Sequence, residues 1–211
     1  MIISISGNKN SGKDLVGKII LYFMSECDQE ESRDFVETDD YVGASNWEIK
    51  KFADNVTKSY EIITGLDFHK LSREDKESFR ISYRDYAEKC KNVFGENVWI
   101  NGLMRDYKYE LKYSLIPSLL KNTKSIPDRI YPKWIITDLR FPNEYQAVKD
   151  KGFTIHVNRN TETIDNHSSE NTKELINHFD DNVIFVANNG TTEELVKQIK
   201  LILLLNKKLI Q

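Results

Sequence analysis

The chain is poor in the residues and runs that mark several classes of protein. Only two cysteines, Cys27 and Cys90, occur in 211 residues, and they match neither a disulfide framework nor a zinc pattern. We therefore expect reduced thiols in a cytoplasmic protein (host cytoplasm if it is viral). The apolar run at residues 201–205 is far too short to cross a bilayer, and the N terminus leads directly into a predicted strand rather than a signal peptide. These absences predict a soluble protein with no membrane partner.

An excess of positive charge is also lacking. The net charge of −3 gives no global reason to expect nucleic acid as a partner. With 39% hydrophobic residues, the chain can bury one good core, which predicts a single domain over residues 1–211. We expect insertions at residues 28–46 and 105–131 and a lid-like loop at residues 159–171. The acid-rich part of the first insertion is read as a solvated surface rather than a metal site.

The N-terminal stretch carries the clearest motif. Residues 2–6 (IISIS) predict a short buried strand, and residues 15–23 have the spacing of a helix. Between them the chain reads G-x-x-x-x-G-K, and strand, glycine-rich turn and helix together form the context of a P-loop, which binds phosphate. Backbone N–H groups and the helix N terminus would cradle the anion, and a lysine would add its charge. The residues concerned are Gly7, Asn8, Lys9, Asn10, Ser11, Gly12 and Lys13.

The next residue departs from the general P-loop pattern. Where Ser or Thr normally holds Mg²⁺ through its hydroxyl, this chain has Asp14. A carboxylate can also hold Mg²⁺, directly or through water, because the ion prefers oxygen ligands and keeps several waters. Asp14 is therefore the candidate metal ligand.

The rest of the chain alternates between predicted strands and helices. Strands are predicted at residues 47–53, 134–137, 153–157 and 182–187. Helices are predicted at residues 56–63, 72–94, 142–151 and 191–205, and a further helix starting near residue 99 runs through the Lys- and Tyr-rich segment 105–122. This order predicts an α/β protein whose central parallel sheet has about five strands, with helices on both faces. The first strand should lie between two others.

An acidic residue ends the predicted strand at residues 134–137. Ligands of open α/β sheets sit beyond the carboxyl ends of the strands, so Asp138 should face the same crevice as the glycine-rich turn. Arg140 follows two residues later and, like Arg84, is a candidate clamp for phosphate. Glu144 could orient Arg140, or it could simply be a favourable partner for the dipole of the helix that Pro142 opens.

Taken in order, these motifs resemble those of phage deoxynucleoside monophosphate kinases. The resemblance rests on S-G-K-D at residues 11–14, K-F-A-D at 51–54, Arg84 followed by Trp99, D-x-R-F-x-N-E at 138–144, and a tail beginning at Arg159 with H-x-S-E, N-x-G-T and E-E-L. It runs from the first strand to the last helix. Its most specific part is the combination of D-x-R-x-x-x-E with S-G-K-D.

The resemblance implies a P-loop kinase that moves the γ-phosphate of ATP, with Mg²⁺, onto a deoxynucleoside monophosphate to give the diphosphate. It implies that Lys13 stabilises the transferring group and that Arg159 belongs to the lid on the ATP side. Asp138, Arg140 and Glu144 would shape the catalytic site. Lys51, Asp54, Arg84, Trp99 and Arg140 would bind the acceptor, although Lys51 and Asp54 could merely flank a strand end. The sequence departs from the family at Leu15 and in the stretch after Arg84.

Two other functions stay open at this stage. One is a different P-loop kinase, acting on a nucleoside or on dephospho-coenzyme A. The other is a non-catalytic nucleotide- or single-stranded-DNA-binding phage protein, supported only by the basic and aromatic segment 105–121. The accepted base and the formation of a homodimer are also left open.

Overall fold

The computed structural model describes residues 1–25, 46–68, 70–112, 128–160 and 172–207. Most of the first predicted insertion, the middle of the second and nearly all of the predicted lid-like loop lie outside these residues. The same holds for Cys27. Within the described part of the chain, no helix is both long and apolar enough to span a membrane.

The centre of the fold is a five-stranded parallel sheet. Its strands are β1 (Ile2–Ser6), β2 (Trp47–Lys50), β5 (Lys133–Leu139), β6 (Gly152–Asn158) and β7 (Val183–Ala187). They lie in the order β2-β5-β1-β6-β7, and every neighbouring pair is parallel. The predicted sheet is confirmed, including the position of β1 between two other strands.

The helices cover both faces of this sheet, as predicted. They are α1 (Lys13–Phe23), α2 (Ala53–Thr64), α3 (Arg73–Ser78), α4 (Arg80–Phe94), α5 (Val98–Met104), α6 (Pro142–Val148), α7 (Lys173–Ile176) and α8 (Thr192–Leu205). A 3₁₀ turn, Lys149–Lys151, extends α6. Helices α1 and α8 pack on one face, where Ile3 and Ile5 of β1 are fully buried. The core of the other face gathers side chains from α5, α6 and α7 around Ile2 and Ile136.

One glycine sets how closely α1 approaches the sheet. A Cβ at Gly17 would collide with Cγ2 of Thr137 in β5, and Gly17 itself is buried. The absence of that atom lets the first turns of α1 lie directly against β5. This contact brings residues at the start of α1 close to the end of β5.

Several predicted boundaries are wrong. The strand predicted at residues 47–53 ends at Lys50, because the following residues turn into α2. The strand predicted at residues 134–137 continues to Leu139, which pairs with Ser6, so Asp138 lies within the strand instead of ending it. The single helix predicted at residues 72–94 is divided at Phe79 into α3 and α4.

The helix predicted through residues 105–122 is wrong for the part that the structure describes. Helix α5 ends at Met104, and β3 (Glu110–Lys112) pairs antiparallel with β4 (Asp128–Ile130). Tyr107 stacks on Tyr131 and meets Trp134 edge-on. Aromatic residues suit a pleated, half-buried surface, and cross-strand contact overrides the helical spacing read from sequence. Helix α7 was not predicted at all.

Candidate functional site

The candidate site lies at one edge of the sheet. Strands β1, β2 and β5 run parallel and end at Ser6, Lys50 and Leu139. The segments that follow them therefore meet beyond the carboxyl ends, where ligands of open α/β sheets bind. They are the glycine-rich turn at residues 7–12, the junction at residues 51–54 and the start of α6.

The glycine-rich turn has a backbone that ordinary residues would adopt with strain. Gly7 and Gly12 have φ values of 145° and 97°, and Asn10 has a φ of 61°. A Cβ at Gly7 would collide with the carbonyl oxygen of Val157, so this position requires glycine on two grounds. The ammonium of Lys13 folds back over the turn and donates to the carbonyl oxygens of Gly7 (2.8 Å) and Asn8 (2.7 Å).

Two residues from distant parts of the chain brace this turn. The buried side chain of Asn188, which follows β7, donates from Nδ2 to the carbonyl oxygen of Ser11 at 2.8 Å. Thr172, just before α7, donates from Oγ1 to Oδ1 of Asn8 at 2.9 Å. Neither residue was a candidate from sequence. Asn188 does belong to the N-x-G-T motif in the tail, which was the one available signal for it.

The start of α1 fits an anion. Gly12 occupies the N-cap position, and glycine has no side chain that could cap the helix. The hydroxyl of Ser11 is buried and has no hydrogen-bond partner among the described residues. A buried hydroxyl without a partner is costly, and helix N termini attract negative charge. An oxyanion of a phosphate would meet both needs.

Asp14, the next residue in α1, is already engaged in the structure. Its Oδ1 accepts from the Thr137 hydroxyl at 3.2 Å and from the Lys51 ammonium at 2.9 Å. Burial alone would raise the pKa of Asp14, but the Lys51 contact, the Thr137 bond and the charge of Lys13 together hold it below its usual value. The carboxylate is therefore ionised at neutral pH, and it interacts with the positive charges of Lys51 and Lys13. Among the described residues, no group of three or more His, Cys, Asp or Glu side chains could hold a metal ion.

The junction at residues 51–54 binds two carboxylates through consecutive main-chain N–H groups. That of Lys51 donates to Oδ2 of Asp54 at 2.9 Å. Those of Phe52 and Ala53 donate to Oδ1 and Oδ2 of Asp138, at 2.8 and 3.0 Å. Asp138 thereby ties the start of α2 to β5. This role as an anchor was not predicted for Asp138.

Burial dominates the electrostatics of Asp138. It raises the pKa of the carboxyl group above its usual range, although the Ala53 and Phe52 N–H groups and the charges of Arg140 and Lys51 oppose this. Both oxygens already accept main-chain hydrogen bonds, which leaves their remaining lone pairs for a water or a ligand in the cleft.

A cleft of about 740 Å³ opens beside this junction. Five of the predicted site residues line it, namely Arg84, Trp99, Asp138, Arg140 and Glu144. They come from α4, α5, β5, α6 and the turn between β5 and α6, so the fold brings together residues from positions 84 to 144. Further lining residues that sequence reasoning did not select are Arg80, Tyr83, Lys91, Phe141 and Asn143. The acidic residues Asp85, Glu88 and Glu96 also line it, so the cleft combines cationic, acidic, aromatic and amide groups.

Glu144 supports the rim of the cleft through the backbone. Its Oε2 accepts from the main-chain N–H groups of Arg140 (2.7 Å) and Phe141 (3.0 Å) at the start of α6. Burial first, and the charge of Asp138 second, raise the pKa of Glu144 to about 8. The carboxylate was expected to orient the guanidinium of Arg140. The bonds seen here instead fix the main chain from which that side chain extends, in line with the alternative of a helix N-terminal role.

Trp99 lines the cleft in a fixed orientation. Its indole Nε1 donates to the carbonyl oxygen of Ala87 at 3.2 Å, and its ring lies 6.2 Å from that of Tyr86. Trp99 is only half-buried, so part of the ring borders the cleft. It is therefore neither a purely internal residue nor a free surface one.

Besides residues 7–14, three predicted site residues lie outside the lining of the cleft. Lys51 and Asp54 belong to the junction beside it. Arg159 is exposed just after β6, where Asn160 bonds to Asn189. Residues 161–171 of the predicted lid-like loop are outside the described part of the chain.

The sequence matches no protein-family model and no curated protein.

Proposed function

We propose that the protein transfers a phosphoryl group from ATP to a deoxynucleoside monophosphate, giving the diphosphate, and that the glycine-rich turn is its phosphate loop. The observation that carries this proposal is the adjacency of two sites of complementary chemistry. An anion-receptive helix N terminus and a cleft containing two candidate arginine clamps flank the same junction at residues 51–54. Phosphoryl transfer needs this positioning and positive charge more than covalent chemistry by the protein.

The donor side would work through main-chain N–H groups and Lys13. The turn presents the start of α1 to the β- and γ-phosphates, and the Ser11 hydroxyl would gain a partner there. Lys13 would exchange the two carbonyl oxygens that it now contacts for phosphate oxygens. Bound Mg²⁺ would neutralise developing charge, and Asp14 is the described carboxylate placed to hold its water shell.

The acceptor side would work through Arg84 and Arg140. Each guanidinium can grip two phosphate oxygens at once, which a lysine cannot do. Asp138 and Glu144 hold the main chain on which this side of the cleft is built. The ring of Trp99 offers an apolar surface for a base.

A coupled assay tests the proposal directly. ATP, Mg²⁺ and each of the four deoxynucleoside monophosphates are supplied in turn, and ADP formation is followed. We expect turnover that depends on at least one of these acceptors. Turnover with a nucleoside or dephospho-coenzyme A alone would assign a different kinase activity, and no acceptor-dependent turnover with any of them would overturn the proposal.

A further inference from the structure

The ion pair between Lys51 and Asp14 is largely exposed to solvent and lies beside the candidate phosphate loop. The two side chains are 39% and 73% exposed, respectively. Exposed ion pairs contribute only about 0–1 kcal/mol to stability, because water and salt screen them. The pair nevertheless lies at the first turn of α1, directly after Lys13 and beside the candidate phosphate loop. Because the pair adds so little to stability, we look for a role in ligand binding instead.

The main chain of Lys51 is fixed, while its side chain extends from that anchor. The N–H of Lys51 donates to Asp54, and the next two N–H groups donate to Asp138. A lysine carries four rotatable bonds and a compact charge, so the ammonium can exchange one oxygen partner for another at little cost. Lys51 is thus a flexible cation on a rigid base.

The charges around Asp14 suit such an exchange. Lys13 and Lys51 both act on the Asp14 carboxylate, and Thr137 donates to the same oxygen that Lys51 contacts. A carboxylate at this position repels an incoming phosphate and competes with it for the two ammonium groups. A phosphate bound at the start of α1 would offer Lys51 several oxygens in place of one.

We propose that Lys51 is a second phosphate-binding lysine of the donor site, which contacts Asp14 in this structure and moves to the phosphate oxygens of the bound nucleotide. The inference rests on the proposed function and adds a residue to it. Sequence resemblance associates Lys51 with the acceptor, whereas the contact with Asp14 assigns it to the donor.

The test measures binding rather than activity. Binding of inorganic tripolyphosphate is followed by calorimetry in EDTA, so that no metal contributes. We expect Lys51→Met to weaken binding by about tenfold, the size of one lost charge-assisted hydrogen bond. Lys51→Arg should bind within about threefold of the wild type, because it keeps the charge and the reach.

Lys50→Met is the matched control. Lys50 is the preceding residue, is also paired with a carboxylate (Glu48), and lies over the ring of Trp134. This variant removes the same charge from the adjacent residue and should leave tripolyphosphate binding unchanged. Equal weakening by Lys50→Met and Lys51→Met would reduce the effect to overall charge and overturn the inference.

The Asp14→Asn variant tests whether Lys51 contacts the phosphate itself or only holds Asp14 in place. If Lys51 only holds Asp14 in place, then Lys51→Met and Asp14→Asn should change binding in the same direction. Our proposal predicts opposite signs: Asp14→Asn tightens metal-free binding because a competing charge is gone. Lys51→Met should still weaken binding when it is introduced into the Asp14→Asn protein.

The outcomes distinguish this inference from the proposed function. If the wild type binds tripolyphosphate and Lys51→Met binds it equally well, the inference fails while the proposed function stands. If the folded wild type binds neither tripolyphosphate nor ATP, the donor site itself fails, and both are overturned. Lys51→Gln serves as a second variant should the methionine protein not fold.

Discussion

The glycine-rich turn and the cleft share one edge of the sheet, but the chain builds them in different ways. Residues 7–14 form the turn and the start of α1 consecutively, and Lys13 bonds back to carbonyl groups only five and six residues away. The cleft gathers Arg84 from α4, Trp99 from α5 and Arg140 from the turn that follows β5. A local motif of this kind can be recognised by spacing, whereas a composite site depends on the whole fold.

The two regions also differ in what holds them rigid. The turn depends on glycine conformations and on amide and hydroxyl braces from Asn188 and Thr172. The cleft depends on two buried carboxylates, Asp138 and Glu144, that receive main-chain N–H groups. Loss of the Lys13 side chain should therefore change catalysis with little effect on folding, while loss of the Asp138 carboxylate should lower stability.

Lys13→Ala should produce the largest effect. Removing one preorganised donor to a developing charge typically costs about 10²–10³-fold in turnover, and we expect a loss of about a thousandfold, at the upper end of that range. The melting temperature should change little, since the side chain is not part of either core cluster. Steady-state kinetics and thermal unfolding measure the two effects.

Lys18→Ala, in the same helix but away from the turn, is the control and should keep its activity. Near-wild-type turnover in Lys13→Ala would contradict the assignment of the turn as a phosphate loop.

Arg140→Lys tests the cleft in the same way. A lysine keeps the charge but loses the fork that grips two oxygens, so we expect a loss of about 2–4 kcal/mol of transition-state stabilisation. The loss should be seen in kcat and in the acceptor KM, while ATP binding barely changes because the donor is held elsewhere. Full activity on every deoxynucleoside monophosphate would show that Arg140 is structural.

Asp138→Asn should mainly affect folding. The amide keeps one acceptor for Phe52 or Ala53, but it turns an N–H₂ group toward the other main-chain N–H. An unsatisfied buried donor costs about 1–3 kcal/mol, which denaturant titration would measure as a lowered free energy of unfolding. Asp54→Asn, which affects a single partly buried bond, should cost less. Equal losses in the two variants would contradict the anchoring role of Asp138.

The same comparison explains which features could be predicted from the sequence. The sheet, the turn and the position of β1 follow from apolar runs and glycine spacing, which are local signals. The resemblance named five residues that line the cleft, but it did not name other lining residues such as Arg80 and Tyr83. The bonds from residues 52 and 53 to Asp138 could not be predicted, because nothing near Asp138 in the sequence indicates that α2 begins beside it.

The wrong boundaries have a similar origin. Residues 110–112 have helical spacing, yet they pair with residues 128–130. Periodicity within a short stretch of sequence cannot indicate a partner that lies so much later in the chain. Asn188 braces a turn 177 residues away through one side-chain amide. Long-range pairing and single polar bonds of this kind appear only when the chain is folded.

Glu144→Gln should change the pH dependence of stability. Burial raises the pKa of Glu144 from 4.5 to about 8 in the folded protein, so the folded state holds a proton that the unfolded chain has released between these values. The contribution of this proton to the free energy of unfolding is fully present below about pH 4.5 and is lost as the pH rises through about 8. One proton changes the free energy of unfolding by at most about 1.4 kcal/mol per pH unit.

The measurement is the difference in free energy of unfolding between the wild type and Glu144→Gln, taken from pH 5.5 to pH 8.5. Groups that titrate alike in both proteins cancel in this difference. Glutamine can still accept from the N–H groups of Arg140 and Phe141, so the start of α6 should persist in the variant. We expect the wild type to lose stability relative to the variant as the pH rises. A difference that stays constant over this range would mean that Glu144 is already ionised at pH 5.5 in the folded protein, and that the rim of the cleft is more polar than its burial implies.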